Sequence, residues 1–106
     1  MREVVRDRYG NEIYLTDERW DHIVNRHPGM SNYRDHLLAT LRTGRRKQDP
    51  FDPTKFKYYA PFDDLEPYYN HIVAVVKFSG QEIAGRESHA NNFVLTAYQI
   101  FIHGRR

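Results

Sequence analysis

Cysteine is absent from the 106 residues, so neither a disulfide nor a thiolate metal site can contribute to this fold. No apolar run approaches the roughly twenty residues that cross a bilayer. The opening "MREVVRDRYG" also lacks the apolar middle of a secretion signal. A membrane-free, cytoplasmic protein is the expectation. Charge of one sign is nearly lacking too: 16 Lys and Arg face 14 Asp and Glu, leaving a net charge of +2. The placement of charges therefore matters more than their sum. No internal repeat, low-complexity tract or interdomain linker divides the chain, and its length suits a single domain over 1–106. Apolar residues make up 40% of it, enough for a core, and aromatic residues a generous 14%.

The first element reads as a β-hairpin, "EVVRDRYGNEIYLT", with Gly10-Asn11 as a two-residue turn. Thr16 fits the N-cap of a helix whose first turn carries Asp17 and Glu18 and which runs to about Arg26, before Pro28-Gly29. Ser31 or Asn32 is the expected cap of a second helix. Its stripe is Tyr33, Leu37, Leu38 and Leu41, and Gly44 ends it. From Arg45 onward "RRKQDP", "KFKYYAP", "HIVAVVKFS" and "NNFVLTAYQIFI" read as strands, with "GQEIAGRESHA" as a polar loop between the last two. The expected class is α+β: an N-terminal β-hairpin and two helices packed on one face of a roughly four-stranded antiparallel sheet.

Strand alternation sorts side chains between the two sheet faces. Ile72, Ala74, Val76 and Phe78 form one set with Phe56, Tyr58, Phe93, Leu95, Ala97 and Phe101, and are expected to meet the helices. The other set includes Val94 and gathers Lys57, Tyr59, His71, Lys77, Thr96 and Tyr98 on an open face, with Arg45, Arg46 and Lys47 on the neighbouring strand or the loop into it. Such a face suits RNA, because Lys and Arg neutralise phosphates and tyrosine rings stack on unpaired bases. An ordinary explanation exists as well: Lys and Tyr tolerate exposed strands, and Lys guards edges against aggregation.

Neither a metal nor a cofactor is expected. There are six histidines, but His22 and His27 are five residues apart, off a common helix face, and His36 lies opposite the leucine stripe on a solvated side. His89 falls in a loop and His103 near the terminus. No His-Glu-x-x-His, Gly-rich phosphate loop or nucleophile elbow occurs. General acid–base work and charge stabilisation remain.

Two stretches, "ERWDHIVNRHP" and "FVLTAY" about seventy residues later, together resemble the superfamily of barnase, EndoU, colicin-type tRNases and RelE-like toxins, in its phage and bacterial PBECR-like branch. The resemblance runs from "NEIYLTDERWDHIVNRHP" to "NNFVLTAYQI". It implies helices on a four-stranded antiparallel sheet and metal-independent RNA cleavage on the exposed face. The RNA 2′-hydroxyl attacks the adjacent phosphorus, giving a 2′,3′-cyclic phosphate and a free 5′-hydroxyl. By motif position it marks His27, Thr96 and Tyr98, while Lys77 joins the catalytic set, and Arg46, Lys57, Tyr59 and His71 the substrate-binding set, from the face argument. The chain departs from ribosome-dependent RelE-like toxins in being much less basic, which favours a free tRNA or another structured single-stranded RNA over ribosomal docking.

His27 has two readings. A histidine closing a helix interacts well with the dipole there and caps free carbonyls. Its imidazole is also suited to proton transfer near pH 7. The functional expectation is an endoribonuclease, the toxin of a toxin–antitoxin pair with an antitoxin protein as partner. The rivals are a non-catalytic RNA- or protein-binding module on the same scaffold, or a plain interaction domain that uses "PYYN".

Overall fold

The structure, a computed structural model, describes residues 2–79 and 91–104. The polar loop placed at "GQEIAGRESHA" and His89 within it lie outside the described residues. Strands β1 (Arg2–Arg6) and β2 (Glu12–Thr16) lead into helix α1 (Asp17–Arg26). A 3₁₀ turn at Pro28–Met30 and helix α2 (Arg34–Thr43) follow, then β3 (Arg45–Gln48), β4 (Lys55–Pro61), β5 (His71–Phe78) and β6 (Asn92–Ile100). The α+β class holds, but the sheet is larger than expected. Its six strands run in the order β1-β2-β6-β5-β4-β3, and the pairing of β2 with β6 is parallel. The hairpin is thus part of the sheet and not an appendage. Ile13 pairs with Asn92 and Tyr14 with Phe93, and the Asn92 side-chain Nδ2 donates to the Glu12 carbonyl at 3.0 Å. A pairing of residues some eighty positions apart leaves no local trace in the pattern.

The helices cover one face. Leu37 and Leu41 of α2, Ile23 of α1 and Met30 are buried together with Val5, Ile13, Leu15, Tyr58, Ile72, Ala74, Val76, Val94 and Ala97. Thr16 caps α1 as expected, its hydroxyl accepting from the Arg19 amide at 3.0 Å. The second helix starts later than expected. Tyr33 holds its N-cap position without a side-chain hydrogen bond, because the 3₁₀ turn has already used Ser31, whose amide donates to the Pro28 carbonyl. His36, expected on a solvated side, is partly covered. It sits between Tyr33 and Phe62 and meets the Asp64 carboxylate at 3.0 Å.

The hairpin turn is also longer than two residues. Asp7 to Asn11 form a loop organised by the Asp7 carboxylate, which accepts from the Tyr9 and Asn11 amides, the Asn11 side chain and the Tyr58 hydroxyl. Gly10 takes φ +90° there, a conformation that glycine adopts without penalty. Gly44 ends α2 at a negative φ, and its glycine is required by space. A Cβ there would lie 2.4 Å from the Thr40 carbonyl oxygen and 2.8 Å from that of Tyr59.

Arg46 is the clearest departure on the basic segment. In the β3–β4 register it pairs with Tyr58, so it points to the helix side, while Arg45 and Lys47 pair with Tyr59 and Lys57 on the open face. Its guanidinium lies 4.3 Å from the ring centroids of both Tyr9 and Phe56 and 4.0 Å from the Asp7 carboxylate. The planar cation replaces lost hydration with ring faces and a carboxylate. It lies on the far side of the sheet from Lys57, so the expectation that it joins the open face with Lys57 is corrected.

Burial alone would raise the Asp7 pKa, but the hydrogen bonds from Tyr58, Asn11 and Tyr9 outweigh it and hold the carboxyl below its ordinary value. A carboxylate depressed in the folded state stabilises above its unfolded pKa and loses that contribution as pH falls through the folded one. Asp7→Ala is expected to cost roughly 3 kcal/mol in urea unfolding, since it strands the Arg46 charge and the Tyr58 hydroxyl. The wild-type chain should lose stability below about pH 4 more steeply than Asp7→Asn does.

Candidate active site

The site begins with β6 changing neighbours. Pairing with β2 stops at Tyr14–Phe93, β2 ends at Thr16, and α1 starts at once. The rest of β6 is flanked by α1. The Arg19 guanidinium donates to the Leu95 carbonyl at 3.4 Å, and the His27 ring lies 5.6 Å from the Tyr98 ring, centroid to centroid. Eight helical residues advance about 12 Å and three strand residues about 10 Å, so helix and strand keep step. His27 thereby reaches the margin of the sheet. Its backbone amide caps the helix by donating to the Ile23 carbonyl at 2.7 Å, while its ring points to a phenol. The helix-end bond thus comes from the backbone, and the ring meets Tyr98.

The strand registers give the open face as rows. Arg45, Tyr59, Val73 and Tyr98 form one row, with His27 against its Tyr98 end. Pro61, His71 and Ile100 form the row on one side of it. Lys47, Lys57, Val75 and Thr96 form the row on the other side, and Lys55, Lys77 and Phe93 the one after that. Of the residues expected on this face, Lys57, Tyr59, His71, Lys77, Thr96 and Tyr98 are all there. Val94 and Phe93 are exchanged relative to expectation. A β-bulge between Val75 and Val76 shifts the register so that Val76 pairs with Val94, which is buried, and Phe93 falls on the open face. Phe101, assigned to the core side, is exposed.

Sharing a face does not mean sharing a site. Thr96 is one row from Tyr98, about 7 Å along the strand. His71 is diagonal to Tyr98 on the adjacent strand, a relation of about 7–8 Å. Tyr59 stands two strands from Tyr98, with the side chain of buried Val73 between them. Lys77 is four residues, about 13 Å, along β5 from the Tyr98 row. Its ammonium is bonded to the Asp52 carboxylate at 3.3 Å, and hydrogen bonds from the Thr54 hydroxyl and amide, aided by Lys77, hold Asp52 down at a pKa of about 2. The structure thus brings together His27, Tyr98, His71 and Thr96 and leaves Lys77 apart from them.

His71 is the better-defined imidazole. The Asn70 amide nitrogen donates to the Ile102 carbonyl and its oxygen accepts from the Ile102 amide, which fixes the side chain. The Asn70 oxygen then faces His71 Nδ1 at 2.8 Å. That contact puts the proton of the neutral ring on Nδ1 and the lone pair on Nε2. Partial burial lowers the His71 pKa, which keeps the ring neutral to lower pH than usual.

Beside His27 and Tyr98 is a hollow of about 270 Å³, lined also by Arg26, Glu66, Tyr69 and Gln99. Glu66 and Tyr69 belong to the segment joining β4 to β5 and carried no periodicity that could single them out. Gln99 holds Glu66 in place: its side chain accepts from the Glu66 amide at 3.1 Å and donates to the Gly29 carbonyl at 3.2 Å. Among the described residues no group of three or more His, Asp or Glu side chains is placed to hold a metal ion. Nor is any described helix long and apolar enough to cross a membrane.

Gln99→Ala should cost about 1 kcal/mol in urea unfolding, and the Glu66 amide should exchange its hydrogen faster, because that N–H loses its acceptor. In comparisons with protein-family models, curated proteins and solved structures, the chain matches none of them.

Proposed function

We propose that the protein is a metal-independent endoribonuclease that cuts RNA by attack of a 2′-hydroxyl on its own phosphodiester. The observation that carries this reading is the placement of two imidazoles, His27 and His71, on either side of the Tyr98 phenol at the margin of a basic sheet face. His71 Nε2 takes the 2′-hydroxyl proton as the 2′-oxygen–phosphorus bond forms. The phosphorus–5′-oxygen bond breaks, and the His27 imidazolium gives the leaving oxygen its proton. The products are a 2′,3′-cyclic phosphate and a 5′-hydroxyl, and solvent restores both rings. The Tyr98 hydroxyl donates to a non-bridging oxygen, and Lys57 on β4 and Arg45 on β3, two and three strands away, offset charge on the more distant phosphates. The resemblance carried by "ERWDHIVNRHP" and "FVLTAY" supports the same chemistry, with tRNA or another structured RNA as substrate and a role inside the cell.

Purified protein with labelled tRNA and EDTA should yield fragments ending in cyclic phosphate. His27→Ala and His71→Gln, folded by circular dichroism, should each lower the rate by at least about a hundredfold. Undiminished cleavage by folded His27→Ala makes that residue a helix cap alone. Because the His71 pKa is lowered and the base must be neutral, the acid limb of the rate profile should lie below pH 6.5.

The separation of Lys77 from the imidazoles favours a second reading, a face that binds RNA without cutting it. In that case the same assay gives a salt-sensitive complex and no fragments. As a toxin, the wild-type chain should arrest growth when overexpressed, and His27→Ala or Tyr98→Phe should relieve the arrest. A cognate antitoxin would cover the open face.

A further inference from the structure

The segment joining β4 to β5 contains the strained backbone of the described chain. Tyr68 has φ +77°, the one positive value among described residues other than glycine. The Tyr69 amide donates to the Glu66 carbonyl at 3.1 Å, closing a turn with Pro67 second and Tyr68 third. Proline second and positive φ third is the type II form, whose third position favours Gly or Asn. A tyrosine there accepts strain, and burial does not repay it, because Tyr68 is 90% exposed. The surroundings are firm. The Phe62 amide donates to the Asn70 carbonyl, the Asn70 amide to that of Ile100, and the Glu66 amide to Gln99. Phe62 and Leu65 rest against the core. A rigid turn thus holds an aromatic ring out in solvent between Glu66 and Tyr69, both of which line the hollow beside His27 and Tyr98.

We infer that Tyr68 is a stacking platform for one unpaired nucleobase next to the cleaved phosphodiester. The inference rests on the ribonuclease reading and adds to it a base subsite. The turn fixes where the ring leaves the backbone, and at 90% exposure both ring faces are open to a base. Such a site selects single-stranded RNA, because a paired base has no free face to offer. Tyr68 does not act on the reacting atoms; it fixes where the chain lies relative to the two imidazoles.

The test uses a short single-stranded RNA with every 2′-hydroxyl methylated, so that it binds without being cut, and a series of the same oligomer with one base removed at each position in turn. Tyr68→Phe should bind like wild type. Tyr68→Gly should bind about tenfold more weakly while melting at or above the wild-type temperature, since glycine relieves the strain. One abasic oligomer should bind wild type as weakly as the complete oligomer binds Tyr68→Gly, and that variant should not distinguish the two. Equal binding by wild type and Tyr68→Gly overturns the platform and leaves the ribonuclease reading standing if wild type still cuts RNA. A Tyr68→Gly protein that melts far below wild type also overturns it, by giving the ring to the fold. If wild type neither binds nor cuts RNA, both readings fall together.

Discussion

The site depends on the shared edge of β6. One strand takes β2 as a parallel neighbour over its first residues and α1 over the remainder. Parallel pairing makes this possible: β2 and β6 point the same way, so a helix leaving β2 continues along β6 in the same direction. An antiparallel hairpin neighbour would carry the chain back the other way. The helix end, with His27, is therefore delivered to the Tyr98 end of β6. The Gln99 side chain ties that end to Gly29 on one side and to Glu66 on the other.

The sheet keeps its two faces chemically distinct by an irregularity. Strict alternation along β6 would place Thr96 and Tyr98 on the same side as Val94. The bulge opposite Val75 and Val76 lets Thr96 and Tyr98 stay on the open face while Val94 enters the core. Without the extra residue, either a valine would be exposed or the hydroxyl-bearing pair would turn inward. The bulge is thus a condition for the candidate site.

The basic residues divide between two tasks. Arg45, Lys47 and Lys57 lie on the open face, where their charges meet solvent and any anion bound there. Arg46, between two of them in sequence, holds the opposite face against β1 and the hairpin loop through Tyr9, Phe56 and Asp7. The same contact sets the Tyr58 hydroxyl against Asp7, and burial together with that carboxylate pushes the Tyr58 pKa well above its ordinary value. This region ties the hairpin loop to β3 and β4.

Sequence periodicity alone determined the helix of residues 17–26 with its Thr16 cap, the leucine stripe of the second helix, and the opposite facing of Tyr58 and Tyr59 or of Ala74 and Val75. These are short-range consequences of 3.6- and 2-residue repeats meeting one apolar core. The basic, phenolic character of the open face followed from the same alternation. Tertiary structure decided the rest: six strands instead of four, the parallel contact of Ile13 with Asn92, the inward turn of Arg46, and which of the face residues stand close together. Each depends on residues far apart in the chain or on a single-residue register shift, and no window of neighbouring residues records either. His27 shows the division well. Its place at a helix end is local, whereas its approach to Tyr98, 71 positions later, exists only because a strand and a helix share one edge.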